Sequence, residues 1–253
     1  MNAWVERHQL LTFFGISFVF TWALLPSAAV SIPIALLALT GPAVAAVATA
    51  LIAGRRSMSD LWTRVSTWRV PIRWYFVALL LPPLVTLLRT PVETAFGAGG
   101  SFKLQPIALL SLVVFVLVAG EEIGWRGFAL PRLQARYGPW RASAILGSVW
   151  AVWHFPLFFM ASMPQYGTPF ASYVPYLIAL SLIMTVLAME TRGSVLIATI
   201  FHGSVNTIGF VNDGAHAIQR GWANTVSYAI VAIIMVAWAR RTTGATAVAG
   251  VPG

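Results

Sequence analysis

The chain has 253 residues, of which 58% are hydrophobic and only 9% are charged, and its mean hydropathy is +0.80. Soluble domains carry about 25% charged residues, so this composition excludes an ordinary soluble domain and indicates a polytopic membrane protein. The chain contains no cysteine, which excludes disulfides and thiolate chemistry.

Eight apolar segments are separated by charged or turn-rich stretches. Each is near the ~20 residues that a helix needs to cross the hydrocarbon of a bilayer. They cover residues 10–30, 32–54, 74–89, 106–127, 142–160, 171–190, 194–212 and 222–239. The sequence therefore predicts an all-α polytopic membrane protein of about eight transmembrane helices. It forms a single domain over residues 1–241, followed by a flexible tail of small residues over 242–253.

The basic residues lie mainly on one side of these spans. With the N-terminus in the cytoplasm, 13 of the 16 fall in cytoplasmic segments, and only Arg89, Lys103 and Arg220 fall in outer ones. The positive-inside rule therefore predicts cytoplasmic termini in a bacterial-type inner (plasma) membrane, and it explains the net charge of +9 without nucleic acid as a partner. Residues 23–31, ALLPSAAVS, resemble a signal-peptide cleavage region. Cleavage there would leave an odd number of spans, which favours an uncleaved segment.

Ionisable residues inside the spans are the first candidate functional residues. A charge at the centre of a spanning helix costs about 2.5–3.5 kcal/mol, so such residues usually face a protein interior or a wet cavity. Glu122 and Arg126 are i and i+4 on one helix and can pair, whereas Glu121 is rotated by about 100° and is left without this partner. His154 precedes Pro156, which we expect to bend the fifth span.

A second polar pair occupies the seventh span, where His202 and Asn206 are i and i+4 and project to the same side. Each feature alone also fits a structural role: an interfacial ion pair, a packing histidine, or interhelical hydrogen bonding. Together, a carboxylate, two histidines and an asparagine on three spans indicate hydrolysis, with an activated water and donors to an oxyanion. A divalent metal such as zinc at Glu121, His154 and His202 stays open, although an HExxH motif is absent.

Three stretches resemble the motifs of the CPBP/Abi family, the CAAX-protease and bacteriocin-processing intramembrane proteases that include the type II CAAX prenyl endopeptidases. EEIGWR (121–126) is similar to EExxxR, and HGSVN (202–206) is similar to HxxxN. WAVWH (150–154) is similar to FxxxH, with Trp150 in place of the phenylalanine. The motif-bearing core runs from about residue 106 to residue 212.

The resemblance implies an eight-helix intramembrane endopeptidase, glutamate-type or metal-dependent, whose site opens towards the cytosolic leaflet. It implies that the partners are the lipid bilayer and a membrane-associated protein or peptide substrate, including a prenylated CAAX-type substrate. The implied roles are general base for Glu121, water positioning for His154, oxyanion stabilisation for His202 and Asn206, and organisation of the site for Glu122 and Arg126.

Two other functions fit the same sequence. One is a non-catalytic membrane scaffold or bacteriocin-immunity protein of the same fold. The other is a proton-coupled transporter with a relay through Glu121 and His154. The sequence contains no inverted repeat, which speaks against the transporter.

Overall fold

The computed structural model describes residues 3–28, 31–99, 102–104, 109–207, 210–212 and 215–249. The described residues are predominantly helical, which confirms the predicted all-α class. The helices are α1 Ala3–Arg7, α2 Gln9–Ala28, α3 Ile32–Ala38, α4 Gly41–Ala53, α5 Arg55–Val65, α6 Ile72–Ala95, α7 Leu109–Glu122, a π-helix Ile123–Ala129, α8 Leu130–Trp153, a 3-10 helix Phe155–Phe159, α9 Phe170–Glu190, α10 Val195–Thr207 and α11 Ala217–Ala249.

Two short strands join the connections at one end of the helical bundle. β1, Phe102–Leu104, pairs antiparallel with β2, Phe210–Asn212, so that Lys103 lies opposite Val211. These strands follow α6 and α10 in the chain, respectively. The pair therefore ties the α6–α7 connection to the α10–α11 connection at the same end of the bundle.

The described part of the chain contains five helices that are long and apolar enough to cross a membrane. They are Gln9–Ser27, Ile72–Ala95, Phe115–Phe159, Phe170–Glu190 and Ala217–Thr242. The third is 45 residues long, but Gly138 interrupts it with non-helical angles of φ 74° and ψ 169°, so it consists of two segments that meet at a turn. Gly41–Ala53 and Val195–Thr207 are shorter apolar helices. The protein is therefore an integral membrane protein, and these segments follow the order of the predicted spans.

Two predictions concern residues that the structure describes only in part: the considered cleavage region, 23–31, and the tail, 242–253. Residues 29 and 30 of the considered cleavage region lie outside the described residues. Helix α11 continues to Ala249, and residues 250–253 of the predicted tail also lie outside the described residues. The absence of cleavage and the flexibility of the tail stay predictions.

Small residues bring the central helices into close contact. A Cβ atom on Gly124 would lie 2.4 Å from Pro42 Cβ, and one on Gly147 would lie 2.6 Å from Ile178 Cα. Neither position has room for a side chain, as is usual where helices pack closely in membranes. These contacts hold the π-helix against α4 and α8 against α9, and they fix the distances between the helices that carry the candidate site.

The π-helix begins directly after Glu122, the last residue of α7. Its wider turn is visible in the bond from the Leu130 N–H to the Trp125 carbonyl, five residues back. π-helical segments are rare and occur often at functional sites, because the extra residue changes the direction of the side chains around it. Here the segment buries both Trp125 and Arg126.

Candidate active site

A chain of three charged or ionisable side chains crosses the centre of the bundle. Arg126 Nη1 donates to Glu122 Oε1 at 2.9 Å, and His202 Nδ1 lies 2.8 Å from the same oxygen. All three side chains are buried, with Glu122 fully shielded from solvent. The i,i+4 pairing that the sequence predicts for Glu122 and Arg126 is confirmed. The contact with His202, 80 residues away, adds a histidine from another helix.

The neighbouring carboxylate, Glu121, has a different environment. It is buried, and the indole N–H of Trp150 donates to its Oε2 atom at 2.9 Å. The guanidinium of Arg126 does not pair with it but stacks over the Trp150 ring, 4.3 Å from the ring centre. The predicted division of the two glutamates is therefore observed: Glu122 forms an ion pair, and Glu121 accepts a hydrogen bond from one neutral donor among the described residues.

His154 lies where α8 ends. It is the C-terminal cap of α8, and the chain continues as a 3-10 helix from Phe155, which agrees with the change of direction predicted near Pro156. Its Nδ1 atom is 2.9 Å from the Trp150 carbonyl oxygen. A backbone carbonyl only accepts hydrogen bonds, so Nδ1 carries a proton and Nε2 is the acceptor in the neutral ring.

Trp150 lies between the two histidines and connects the three motifs. Its ring makes edge contacts with His154 and His202, at centroid distances of 5.8 Å and 5.1 Å. Glu121 and His202 are both close enough to His154 to interact with it electrostatically. The sequence-predicted residues on α7, α8 and α10 are thus brought together around one tryptophan.

Asn206 lies one turn beyond His202 and is exposed. It lines a cavity of about 230 Å³ together with Tyr173, Gln165 and Arg220. Tyr173 also contacts the His154 ring, at a centroid distance of 5.7 Å, so this cavity lies next to the histidine.

Comparison with known proteins agrees with this arrangement. Residues 103–208 match the family model described as type II CAAX prenyl endopeptidase Rce1-like. A curated relative, CAAX prenyl protease 2 of Methanococcus maripaludis, is 33% identical over 146 residues, which cover 51% of this chain and 53% of the relative. The residues that match the family model make up less than half of the chain, so the similarity to this family is to the part that carries the three motifs. It spans about half the length of the curated relative that it matches.

The stretches 121–126, 150–154 and 202–206 all lie within the matched residues 103–208. This is also the part of the chain in which helices α7, α8 and α10 meet. The family similarity and the geometry therefore concern the same region.

The predicted metal ligands do not form a metal site among the described residues, which contain no group of three histidine, cysteine or acidic side chains suited to hold one ion. Glu121 accepts from Trp150, and the Nδ1 atoms of both histidines are engaged with other groups. Each side chain of the set Glu121, His154 and His202 thus has its own protein partner. These contacts do not involve Glu121 Oε1 or the two Nε2 atoms, and a histidine that binds a metal usually has its other ring nitrogen held in this way, so the zinc site stays a prediction.

The sequence does not reveal the roles of two aromatic residues at the candidate site. Trp150 stands in place of the motif's phenylalanine, but its N–H group also donates to the buried Glu121. Tyr173, which contacts His154, gave no signal because a tyrosine in an apolar span is ordinary. Only their packing reveals their position at the site.

A second buried ion pair was also missed. Arg89, counted in an outer segment, lies within α6, and its Nε atom is 3.0 Å from Glu93 Oε1. Arg89 also donates to Asn224 on α11. The i,i+4 spacing of Arg89 and Glu93 is typical of a pair on one helix face. The predicted third span ended at residue 89, so Glu93 was not placed on the same helix.

Proposed function

We propose that the chain is an intramembrane endopeptidase that hydrolyses a peptide bond of a membrane-associated protein or peptide with a water activated by Glu121. The observation that carries this proposal is the meeting of Glu121, His154 and His202, from three different helices, around Trp150. Buried carboxylates and histidines are costly in a membrane protein, and their grouping beside a cavity fits acid–base chemistry.

Glu121 is the proposed general base. The N–H group of Trp150 occupies Oε2, which leaves Oε1 to take a proton from water. His154 positions this water, because its Nδ1 proton is directed to a carbonyl and its Nε2 atom is therefore an acceptor. Two acceptors on one water molecule leave its oxygen lone pair free to attack a carbonyl carbon.

His202 and Asn206 are the proposed donors to the oxyanion that forms when water adds to the carbonyl. His202 Nδ1 is bound to Glu122, so its Nε2 atom donates only when the ring is in its imidazolium form. The amide of Asn206 lies on the exposed side of α10 and lines the adjacent cavity. These two groups thus approach the substrate from one helix.

Glu122 and Arg126 organise the site without contacting substrate. Glu122 holds His202 through Nδ1, in the manner in which a buried carboxylate orients a catalytic histidine. Arg126 compensates the charge of Glu122 and stacks on Trp150. Proton transfer ends with Glu121 returning the proton to the leaving amine.

The substrate class is proposed from the relative. That protein is named a CAAX prenyl protease, and a prenylated CAAX-type peptide is therefore the first substrate to test. The fold alone does not carry specificity, so an unprenylated peptide of the same sequence belongs in the same assay.

The test compares purified wild type with Glu121→Gln and with Glu190→Gln, a matched change at the last residue of α9. Cleavage is followed by mass spectrometry of the peptide products. We expect Glu121→Gln to abolish cleavage while its melting curve stays that of a folded protein, and Glu190→Gln to cleave like wild type. Cleavage by purified Glu121→Gln would refute the assignment of the base. A scaffold function would be favoured by two results together. Wild type would cut neither peptide, and the Glu121→Ala variant would complement the phenotype of cells that lack the protein.

A further inference from the structure

A second cavity, of about 200 Å³, is lined by Arg126 and shares no lining residue with the cavity beside Asn206. It is lined by three arginines, Arg64, Arg126 and Arg192, and by apolar and amide side chains. None of the described residues that line it is acidic. Since Glu122 compensates only Arg126, the cavity has an excess of positive charge.

Arg126, which lines this cavity, has unused hydrogen-bond donors. Its Nη1 atom donates to Glu122, but Nε and Nη2 are buried and have no partner among the described residues. Nε and Nη2 share one edge of the guanidinium, the edge that binds two oxygens of one oxyanion side by side. Leaving charged donors buried without an acceptor costs free energy, so this edge is suited to a ligand.

The two other arginines come from the connections at one end of the bundle. Arg64 is near the end of α5, and Arg192 lies in the turn between α9 and α10. Arg192 has a φ angle of 56°, the only positive φ of a non-glycine residue in the part of the chain described. Such a backbone is unfavourable for arginine and marks a position that the surrounding structure imposes.

The partners of these two arginines leave their charges uncompensated. Arg64 Nη1 donates to the Asp60 carbonyl at 2.6 Å, and Arg192 Nη2 donates to the Arg69 carbonyl. Both contacts are to backbone oxygens, which carry no net charge. The turn is also fixed to the α5–α6 connection by the bond from Ser194 Oγ to the Thr67 carbonyl. The arginines are thus held in place while their charges remain available.

This end of the bundle has the features of a membrane–water interface. Trp62 and Trp68, which are close in sequence to Arg64, are 65% and 59% exposed. Exposed tryptophans and arginines next to apolar helices are typical of the depth at which phospholipid head groups lie. Phosphate is the anion that is concentrated at this depth, and clustered arginines recognise it.

We propose that Arg64, Arg126 and Arg192 form a binding site for a phosphate oxyanion, supplied by the head group of an anionic phospholipid or by free phosphate. The oxyanion accepts from the Nε/Nη2 edge of Arg126 and is neutralised by the other two arginines. A ligand bound in this way shares the Arg126 guanidinium with Glu122. The site is distinct from the cavity beside Asn206.

The test measures binding, so its result does not depend on the proposed proteolysis. Protein in neutral detergent is titrated with phosphatidylglycerol, with phosphatidylcholine, and with inorganic phosphate against chloride at equal ionic strength. Thermal midpoints give an apparent dissociation constant, and native mass spectrometry counts bound lipid. The variant is Arg64→Gln/Arg192→Gln. The matched control is Arg55→Gln/Arg241→Gln, which removes two exposed arginines outside this cavity.

We expect phosphatidylglycerol to stabilise wild type and the control, and to bind the Arg64→Gln/Arg192→Gln variant at least about tenfold more weakly, since two charged contacts are lost. Stabilisation by inorganic phosphate as well would identify free phosphate as a sufficient source, and stabilisation by the lipid alone would identify the head group. Equal effects of the two lipids with no effect of phosphate, or equal weakening in variant and control, would overturn the proposal. Arg192→Gln alone, at an exposed position, replaces the double variant if the latter does not fold.

Discussion

Trp150→Phe separates the indole N–H group from the aromatic ring at the centre of the site. The change keeps an aromatic residue in contact with His154 and His202, and it restores the residue that the family motif has at this position. It removes the donor that lies 2.9 Å from Glu121 Oε2 and the larger ring on which Arg126 stacks. Glu121 then keeps its charge but loses the contact that fixes its orientation.

The expected loss follows from the strength of that contact. A hydrogen bond to a charged group contributes about 1.5–3 kcal/mol, and each 1.4 kcal/mol corresponds to a factor of ten. If the bond orients Glu121 in the transition state, kcat should fall by about 10- to 100-fold. KM should change little, because the indole N–H group faces the carboxylate and not the substrate cavity.

The measurement is steady-state cleavage with a melting curve for each variant, and Trp125→Phe is the matched control. Trp125 is as deeply buried as Trp150, but its Nε1 atom has no hydrogen-bond partner among the described residues. The two variants therefore lose the same atoms, and only one loses a bond to Glu121. Equal kcat values for Trp150→Phe and Trp125→Phe would refute the orienting role of the Trp150 N–H group.

Three further predictions use other parts of the fold. Arg126→Ala should lower the yield of folded protein as well as activity, because it leaves a buried carboxylate without its counter-charge at a cost of about 3–5 kcal/mol; gel filtration of the detergent extract measures this. Gly147→Leu should lower the melting temperature, since its Cβ would lie 2.6 Å from the α9 backbone, whereas Gly15→Leu has open space and should not. Because the chain has no cysteine, Ser162→Cys and Ser59→Cys can be labelled one at a time with an impermeant maleimide. The charge distribution predicts labelling of Ser162→Cys from outside intact cells and of Ser59→Cys only after permeabilisation, and the reverse pattern would invert the topology.

The helical architecture was predictable because it depends on composition and local order. A run of apolar residues about as long as a bilayer is thick must be helical, since no other backbone satisfies its own hydrogen bonds in lipid. The pairing of Glu122 and Arg126 followed from the helical period for the same reason. The turn at Gly138 follows charged residues and precedes Pro139, and so the boundary between the fourth and fifth spans was also visible.

The contacts between helices were not predictable from one sequence. The bonds from Trp150 to Glu121 and from His202 to Glu122 join residues 29 and 80 positions apart. Which face of each helix meets its neighbour depends on where glycines such as Gly124 allow close approach, and periodicity does not encode this. The π-helix adds a local change of direction that the 3.6-residue period cannot anticipate. Helical geometry alone did not predict that Glu121, His154 and His202 would lie close together, whereas the resemblance to the family motifs did.

The position of the two cavities constrains how the protein sits in the membrane. The cavity beside Asn206 is at the end of the bundle that holds Arg220, and the arginine cavity is at the end that holds Arg64 and Arg192. With cytoplasmic termini, the charge distribution places the Arg220 end outside, whereas the family resemblance implies a site open to the cytosolic leaflet. Both cannot hold if substrate enters through the cavity beside Asn206. Labelling of Ser162→Cys decides on which side this cavity lies, because Pro164 and Gln165 line it. Access from outside places the cavity at the outer side of the membrane, and access only after permeabilisation places it at the cytosolic side.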